Sequence, residues 1–69
     1  AEFRTIIRRA EKMLNDPLVH NDKLVKDDLE TAVYELKQAL ILDDPELAKV
    51  CESDLMYLLD ELAAQTRQP

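Results

Sequence analysis

Residues 43–46 read Asp43-Asp44-Pro45-Glu46, and this stretch marks the start of the last helix. Aspartate is a favoured N-cap, proline fits the first helical position, and glutamate suits the first turn. Asp44 is one candidate cap. With Asp43 as the cap, Glu46 would complete a capping-box pattern instead. In either case a helix begins here, and the short connection makes it an antiparallel neighbour of the helix before it.

Helical periodicity of apolar residues extends on both sides of this turn. It predicts a helix over 45–65 after the turn and a helix over 26–42 before it, followed at the C-terminus by a short polar tail at 66–69. A third stripe, in residues 2–14, starts abruptly without a clear N-cap, so we expect this helix to be the end of a longer one. The expected core consists of Ile6, Ile7, Ala10, Met13, Leu14, Leu29, Val33, Leu36, Leu40, Cys51, Leu55, Leu58 and Leu62.

Residues 15–24 are expected to connect the first two of these helices. Asn15, Asp16 and Pro17 stop the first helix, because proline cannot continue it. We expect the apolar pair Leu18 and Val19 to tuck under the bundle. The sequence therefore predicts an all-α fold, a three-helix antiparallel bundle that forms one small domain over residues 1–69.

Composition excludes several classes of function. The 69 residues contain no glycine, which excludes a Walker loop or a Rossmann fingerprint, and a single cysteine and a single histidine, which exclude an internal disulfide and a histidine-rich metal site. The net charge of −6 and an aromatic content of 4% disfavour nucleic-acid binding. No apolar run approaches the ~18 residues of a membrane span. We expect a cytoplasmic protein that binds neither nucleic acid nor membrane.

The residues that could carry chemistry have simpler structural interpretations. The aspartate pairs at 27–28 and 43–44 suit helix starts, because adjacent residues on a helix point about 100° apart and cannot share a ligand easily. His20 lies in the connection with no second histidine or cysteine to complete a metal site. Cys51 falls within the apolar arc of the last helix and is expected in the core. We therefore expect no enzyme activity, no cofactor and no metal.

Six residues on the outer faces of the helices are candidates for contact with another protein. They are Arg4, Arg8, Tyr34, Ile41, Val50 and Tyr57. The two arginines belong to a basic row on the first helix, which is otherwise an ordinary solvated face. The four apolar residues form two pairs with a spacing of seven, each away from the core stripe of its helix, and the alternative for these pairs is packing at the edge of the core.

Charge is distributed unevenly along the chain. Residues 1–14 carry four basic and two acidic side chains, whereas the remaining residues carry five basic and thirteen acidic ones. This asymmetry should draw the first helix electrostatically to the other two. Each exposed pair of this kind contributes only about 0–1 kcal/mol, so we expect the attraction to be modest.

Four stretches occur in an order that is similar to that of a known chaperone subdomain. Residues 5–14 (TIIRRAEKML) match the character of a stretch reading roughly SLIYxTEKxL, and residues 23–28 (KLVKDD) match a helix start. Residues 32–40 follow the pattern AxxxLxxAL, and residues 43–65 provide an acidic turn and a leucine-rich helix. Together they resemble the helical lid at the C-terminal end of heat-shock protein 70 (DnaK-type) chaperones.

The chain departs from this family pattern in two turns, at Arg4 and at its C-terminus. The turn between the first two helices is longer, and the turn between the last two lacks the glycine that many members carry. Arg4 stands where the family often has an aspartate that latches the lid to the peptide-binding sandwich. Residues 67–69 read Arg-Gln-Pro and lack the Glu-Glu-Val-Asp tail by which the cytosolic eukaryotic members dock tetratricopeptide-repeat co-chaperones.

The resemblance implies a non-catalytic lid that helps to close over and retain unfolded peptide in an ATP-driven parent chaperone. The ATPase domain and the peptide-binding sandwich precede the lid in that family. The implied partners are the rest of the parent chaperone and, indirectly, its unfolded client peptides, with the fragment a monomer in isolation. The alternative is a free-standing helical adaptor that binds a partner protein through Tyr34 and Ile41.

Overall fold

The structure, a computed structural model, describes residues 2–66 and is all-α over that range. It contains four helices there: α1 (Glu2–Leu14), α2 (Pro17–His20), α3 (Lys23–Ile41) and α4 (Pro45–Thr66). The all-α prediction is confirmed, but the count of three helices omitted α2. The second predicted helix starts at Lys23 rather than at residue 26. Of the expected polar tail, residues 67–69 lie outside the described residues.

Helix α2 forms because residues 16–17 repeat the aspartate–proline pair of residues 44–45. The Asp16 carboxylate accepts a hydrogen bond from the backbone N–H of Leu18 at 2.9 Å, and Pro17 occupies the start of the helix. The turn buries Val19 and leaves Leu18 exposed. The expectation for Val19 is therefore confirmed and that for Leu18 is wrong, because a single helical turn can direct only one of two adjacent side chains inward.

Helix α3 begins earlier than predicted because Asp22 caps it. The Asp22 carboxylate accepts a hydrogen bond from the N–H of Val25 at 3.3 Å, and its carbonyl accepts one from the N–H of Lys26 at 2.9 Å. The aspartates at 27–28 consequently lie beyond the first turn, where the helix dipole affects them less. They are exposed on the surface of α3.

The connection between α3 and α4 is a Schellman motif with Asp43 in the left-handed conformation, at a φ of 55°. The N–H of Asp43 donates to the carbonyl of Leu40 and the N–H of Asp44 donates to that of Ala39, both at 3.1 Å, which are the two bonds of this motif. The Asp44 carboxylate then accepts from the N–H of Leu47 at 3.1 Å and caps α4. Of the two caps that the sequence allowed, Asp44 is the one in the structure.

Replacing Asp43 with glycine should stabilise the fold. A left-handed backbone crowds a Cβ atom, a strain that costs about 1–2 kcal/mol in general and less for aspartate. We expect Asp43→Gly to raise the free energy of unfolding by about 0.5–1 kcal/mol in urea denaturation. The control Asp27→Gly, within α3, should lower it by up to about 1 kcal/mol. A loss of stability in Asp43→Gly would contradict the left-handed turn.

The core lies between α1, α3 and α4, and Val19 of α2 adds to it. Its buried members are Ile6, Ala10, Val19, Leu29, Val33, Leu36, Ala39, Ala48, Cys51, Leu55, Leu59 and Leu62. The predicted core members that are only partly buried are Ile7, Met13, Leu14 and Leu58. The prediction that Leu40 is a core residue is wrong, because it lies exposed beside the α3–α4 turn. The predicted core also omits Leu59, which is fully buried, and includes its neighbour Leu58 instead.

Residues that line common clefts show which parts of the helices face each other. Phe3 shares a small cleft of about 120 Å³ with Ala39 and Ala48, next to the α3–α4 turn. Leu14 shares another cleft with Val33, which lies closer to the N-terminus of α3 than Ala39 does. The first residues of α1 therefore lie near the α3–α4 turn, and its last residues lie towards the middle of α3.

Two ion pairs connect α1 to the neighbouring helices within the described residues. Arg9 Nη2 lies 3.4 Å from Asp60 Oδ1, and Lys37 Nζ lies 3.2 Å from Glu11 Oε2. All four side chains are roughly half exposed, so each pair contributes about 0–1 kcal/mol. The buried apolar face of α1 is accordingly the larger contribution to its packing. In residues 2–66 no helix is both long and apolar enough to cross a bilayer.

Candidate interaction surfaces

The six predicted contact residues are all exposed, and they lie on three different helices. The pairs are Arg4 and Arg8 on α1, Tyr34 and Ile41 on α3, and Val50 and Tyr57 on α4. The structure does not bring them into one site. Instead, the two tyrosines line two separate open clefts, one beside α1 and one along α4.

The α3 surface consists of Tyr34 and Ile41, which are 63% and 73% exposed. Tyr34 lines a shallow cleft of about 240 Å³ between α1 and α3, with Leu14 on the opposite wall. The ion pair between Lys37 and Glu11 crosses the same cleft. These two charges satisfy each other within the molecule, but the exposed carboxylate of Glu30 lines the cleft as well. The cleft therefore offers a partner apolar and aromatic contact beside one carboxylate.

The α4 surface consists of Glu52, Ser53, Met56, Tyr57 and Asp60. All five line an open cleft of about 400 Å³ along α4. Met56 and Tyr57 are exposed apolar side chains, and Glu52 and Asp60 line the cleft with them. Val50 is also exposed on α4 but does not line this cleft. Apolar and acidic groups are therefore interleaved on one helix surface.

Arg9 reaches the α4 surface from α1. Its Nη1 donates to Met56 Sδ at 3.7 Å, and its Nη2 donates to Asp60 Oδ1 at 3.4 Å. One guanidinium group thus contacts both an apolar side chain and a carboxylate. The contact shows in this molecule how a cation fits the edge of the α4 surface.

The pKa of the Tyr57 hydroxyl is influenced by Glu61, a carboxylate one turn further along α4. The hydrogen bond with Glu61 raises the pKa of Tyr57 above its ordinary value, and the negative charge of Glu61 and some desolvation raise it further. The hydroxyl therefore stays protonated across the neutral range. Its ring remains exposed, so one face is open to a partner.

Cys51 is buried, as the sequence predicts. It adjoins a cleft of about 50 Å³ that Ala32, Glu35 and Asp54 also line. Burial raises the pKa of the Cys51 thiol, and the negative charges of Glu35 and Asp54 raise it further. Because the thiolate is the reactive form, this setting makes the side chain a poor nucleophile.

The raised pKa predicts slow alkylation of Cys51. We expect iodoacetamide to modify the folded protein more slowly at neutral pH than the urea-unfolded protein. The same shift affects stability. Because the folded state holds the Cys51 proton more tightly than the unfolded state, it adds to the free energy of unfolding below the ordinary thiol pKa. That contribution is lost as the pH rises through the pKa of the folded protein. The double variant Glu35→Gln/Asp54→Asn should shift the rate profile towards lower pH. Glu46→Gln is the control, and an equal shift in it would contradict the local effect.

The other residues with possible chemistry are separate from one another. His20 ends α2 and is exposed. Within residues 2–66 no group of three or more histidine, cysteine, aspartate or glutamate side chains could hold a metal ion. The sequence prediction missed Glu52, Met56 and Asp60 as neighbours of Tyr57. Their spacing of four residues would have placed them on the same helical ridge.

The exposed candidate residues differ in character from helix to helix. They are basic on α1, apolar at Tyr34 and Ile41 on α3, and apolar beside carboxylates on α4. Their clefts are open, which suits contact with another protein better than enclosure of a small molecule. The chain matches no protein-family model, no curated protein and no solved structure.

Proposed function

We propose that this chain is the helical lid fragment of a DnaK-type chaperone, where it helps to close over and retain bound unfolded peptide. In this proposal α1, α3 and α4 form a three-helix antiparallel bundle, and α1 is the end of a longer lid helix. The fragment is non-catalytic, holds no cofactor and is a monomer in isolation. The parent would be an ATP-driven cytoplasmic chaperone, and the fragment's direct partner would be its peptide-binding sandwich.

The backbone of Asp43 is the observation that supports this proposal most. The resembled family carries a glycine in many members in the turn between its last two helices, and this chain contains no glycine. Asp43 adopts a φ of 55°, in the region that favours glycine. The turn thus has the conformation that a glycine would supply. Helix α1 ends at Leu14, where the matched stretch 5–14 also ends. Helix α3 starts at Lys23, where the matched stretch 23–28 also starts.

A lid retains its ligand by adding a barrier to escape, so it acts mainly on the dissociation rate. In this chain the mechanical link would be α1, whose residues Ile6 and Ala10 are buried against the other helices. Docking α1 firmly would stiffen the longer helix that covers the peptide groove. Because this link is apolar, Arg4 would matter less than the buried face of α1.

Peptide release from the full-length parent protein tests this proposal. Dissociation of a fluorescent peptide from the ADP-bound form should be several-fold faster when residues 1–69 are removed. Ile6→Asp should have a similar effect, because it places a charge in the interface that holds α1. The matched control is Thr5→Asp at the exposed neighbouring position, which should release peptide as the intact protein does.

Basal ATP hydrolysis should be largely unchanged in all of these proteins, because the lid does not touch the nucleotide. Equal dissociation rates for the intact and truncated proteins would overturn the proposal. A coding sequence without an ATPase domain and a β-sandwich ahead of these residues would overturn it as well.

A free-standing helical adaptor is the second candidate function. The exposure of Tyr34 and Ile41 favours it, since both are large apolar side chains on one outer face of α3. Single exposed apolar residues are common on monomers, which makes this the weaker candidate. An adaptor should lose its partner when Tyr34 or Ile41 is replaced by alanine, with its thermal stability unchanged. A lid should keep its effect on peptide release in the same variants.

A further inference from the structure

The α4 surface combines features that a positively charged partner would recognise. Helix α4 carries five carboxylates and one lysine, so its charge is strongly negative. On the α4 surface, Glu52 and Asp60 border the exposed side chains of Met56 and Tyr57. Asp60 already pairs with Arg9, whereas no ion pair involves Glu52 within the described residues. Glu52, which is partly buried, is therefore the carboxylate left to pair with an incoming cation.

The contact made by Arg9 shows the chemistry that this surface accepts. A single guanidinium group lies against the Met56 sulfur and the Asp60 carboxylate at the same time. Arginine favours such sites because its charge is delocalised over a flat group that is weakly hydrated. The exposed ring of Tyr57 adds a face on which a second guanidinium could stack.

We propose that the α4 surface is a docking site for an arginine-bearing amphipathic helix of a partner protein. One arginine of the partner would pair with Glu52, a second would replace Arg9 at Asp60, and apolar side chains of the partner would pack on Met56 and Tyr57. The residues of the site lie within about three turns of one helix, a length that suits a helix laid alongside α4. This role is separate from peptide retention and does not depend on the lid proposal.

Charge complementarity selects this partner over a second copy of the chain. Two α4 surfaces placed face to face would bring Glu52 and Asp60 of one copy against the same carboxylates of the other, and these like charges would repel. A cationic helix is instead attracted to the acidic α4 surface, and its arginines could reproduce the contact that Arg9 makes. The apolar side chains distinguish the site from a purely ionic surface.

Binding of a synthetic probe peptide tests the proposal. The probe is a fluorescein-labelled helix of alanine, leucine and arginine, with arginines at i, i+4 spacing along one side and leucines next to them. Its affinity for residues 1–69 is measured by fluorescence anisotropy at physiological salt. A second peptide keeps every arginine and replaces the leucines with serine. We expect the leucine peptide to bind about tenfold more tightly than the serine peptide.

Two matched pairs of variants locate the binding site. Tyr57→Ala should weaken binding of the leucine peptide about tenfold. The matched control is Tyr34→Ala, which should leave binding unchanged although Tyr34 is 63% exposed and Tyr57 is 66% exposed. Glu52→Gln/Asp60→Asn should also weaken it about tenfold. The control Asp27→Asn/Glu30→Gln also removes two negative charges, but from α3, and should have little effect on binding of the leucine peptide.

Three results would overturn the proposal. The first is equal weakening by the α3 and α4 variants, which would indicate general attraction to an acidic protein. The second is equal affinity for the leucine and serine peptides. The third is a dimer in sedimentation equilibrium that Tyr57→Ala dissociates, because the occupant of the surface would then be a second copy.

Discussion

Leu36→Ala and Leu59→Ala should each lower the free energy of unfolding by roughly 2–5 kcal/mol. Both leucines are fully buried, so truncation leaves a cavity between α3 and α4 that the helices can fill only in part. A loss of this size is comparable with the entire stability of so small a domain. Circular dichroism should therefore show variants that are largely unfolded or that melt far below the unchanged protein.

The matched control for this experiment is Leu24→Ala. Leu24 is 78% exposed, so the same truncation should change the free energy of unfolding by less than about 0.5 kcal/mol. Leu58→Ala should fall between the two extremes because Leu58 is partly buried. A larger loss for Leu58→Ala than for Leu59→Ala would contradict the orientation of α4 about its axis.

The helix ends show what local sequence signals can and cannot predict. The sequence predicts a helix start at Asp44-Pro45, and the helix begins there with Asp44 as the cap. The same two residue types at positions 16–17 predict only the end of α1. A proline stops the preceding helix in the same way whether or not a new helix begins at it. The four-residue α2 is too short to show periodicity, so capping was its one available signal.

The core shows the limit of periodicity within a helix. The apolar arc of α4 includes both Leu58 and Leu59, and which of them reaches the centre depends on where α1 and α3 pack. The predicted core omits Ala39 and Ala48 for a related reason, although both lie in the apolar stripes of their helices. Ala39 and Ala48 are buried close to the α3–α4 turn, and only the close approach of the two helices gives them a place in the core.

The candidate surfaces could be predicted residue by residue but not as assemblies. Exposure of Tyr34 and Tyr57 follows from their position opposite the core stripe of each helix. The contact of Arg9 with Asp60 joins residues 51 apart in the sequence. No local pattern indicates such a contact, because it arises from the packing of α1 on α4.

Ala10→Asp should detach α1 from the other helices. Ala10 is fully buried at the face of α1 that packs on the core. A carboxylate there would have to lose its water without a partner, and its extra volume would separate the helices. We expect a loss of about 3 kcal/mol or more in the free energy of unfolding. Hydrogen exchange should show that the amides of α1 lose their protection first.

A second variant separates apolar burial from electrostatic attraction as the cause of this docking. Arg9→Gln/Glu11→Gln removes both ion pairs between α1 and its neighbours while leaving the buried face intact. Since exposed pairs contribute about 0–1 kcal/mol each, this variant should lose at most about 2 kcal/mol and keep α1 protected. If it instead lost α1 protection to the extent that Ala10→Asp does, charge rather than burial would hold α1 in place. Added salt should then have the same effect on the unchanged protein, because salt screens exposed pairs but does not weaken apolar packing.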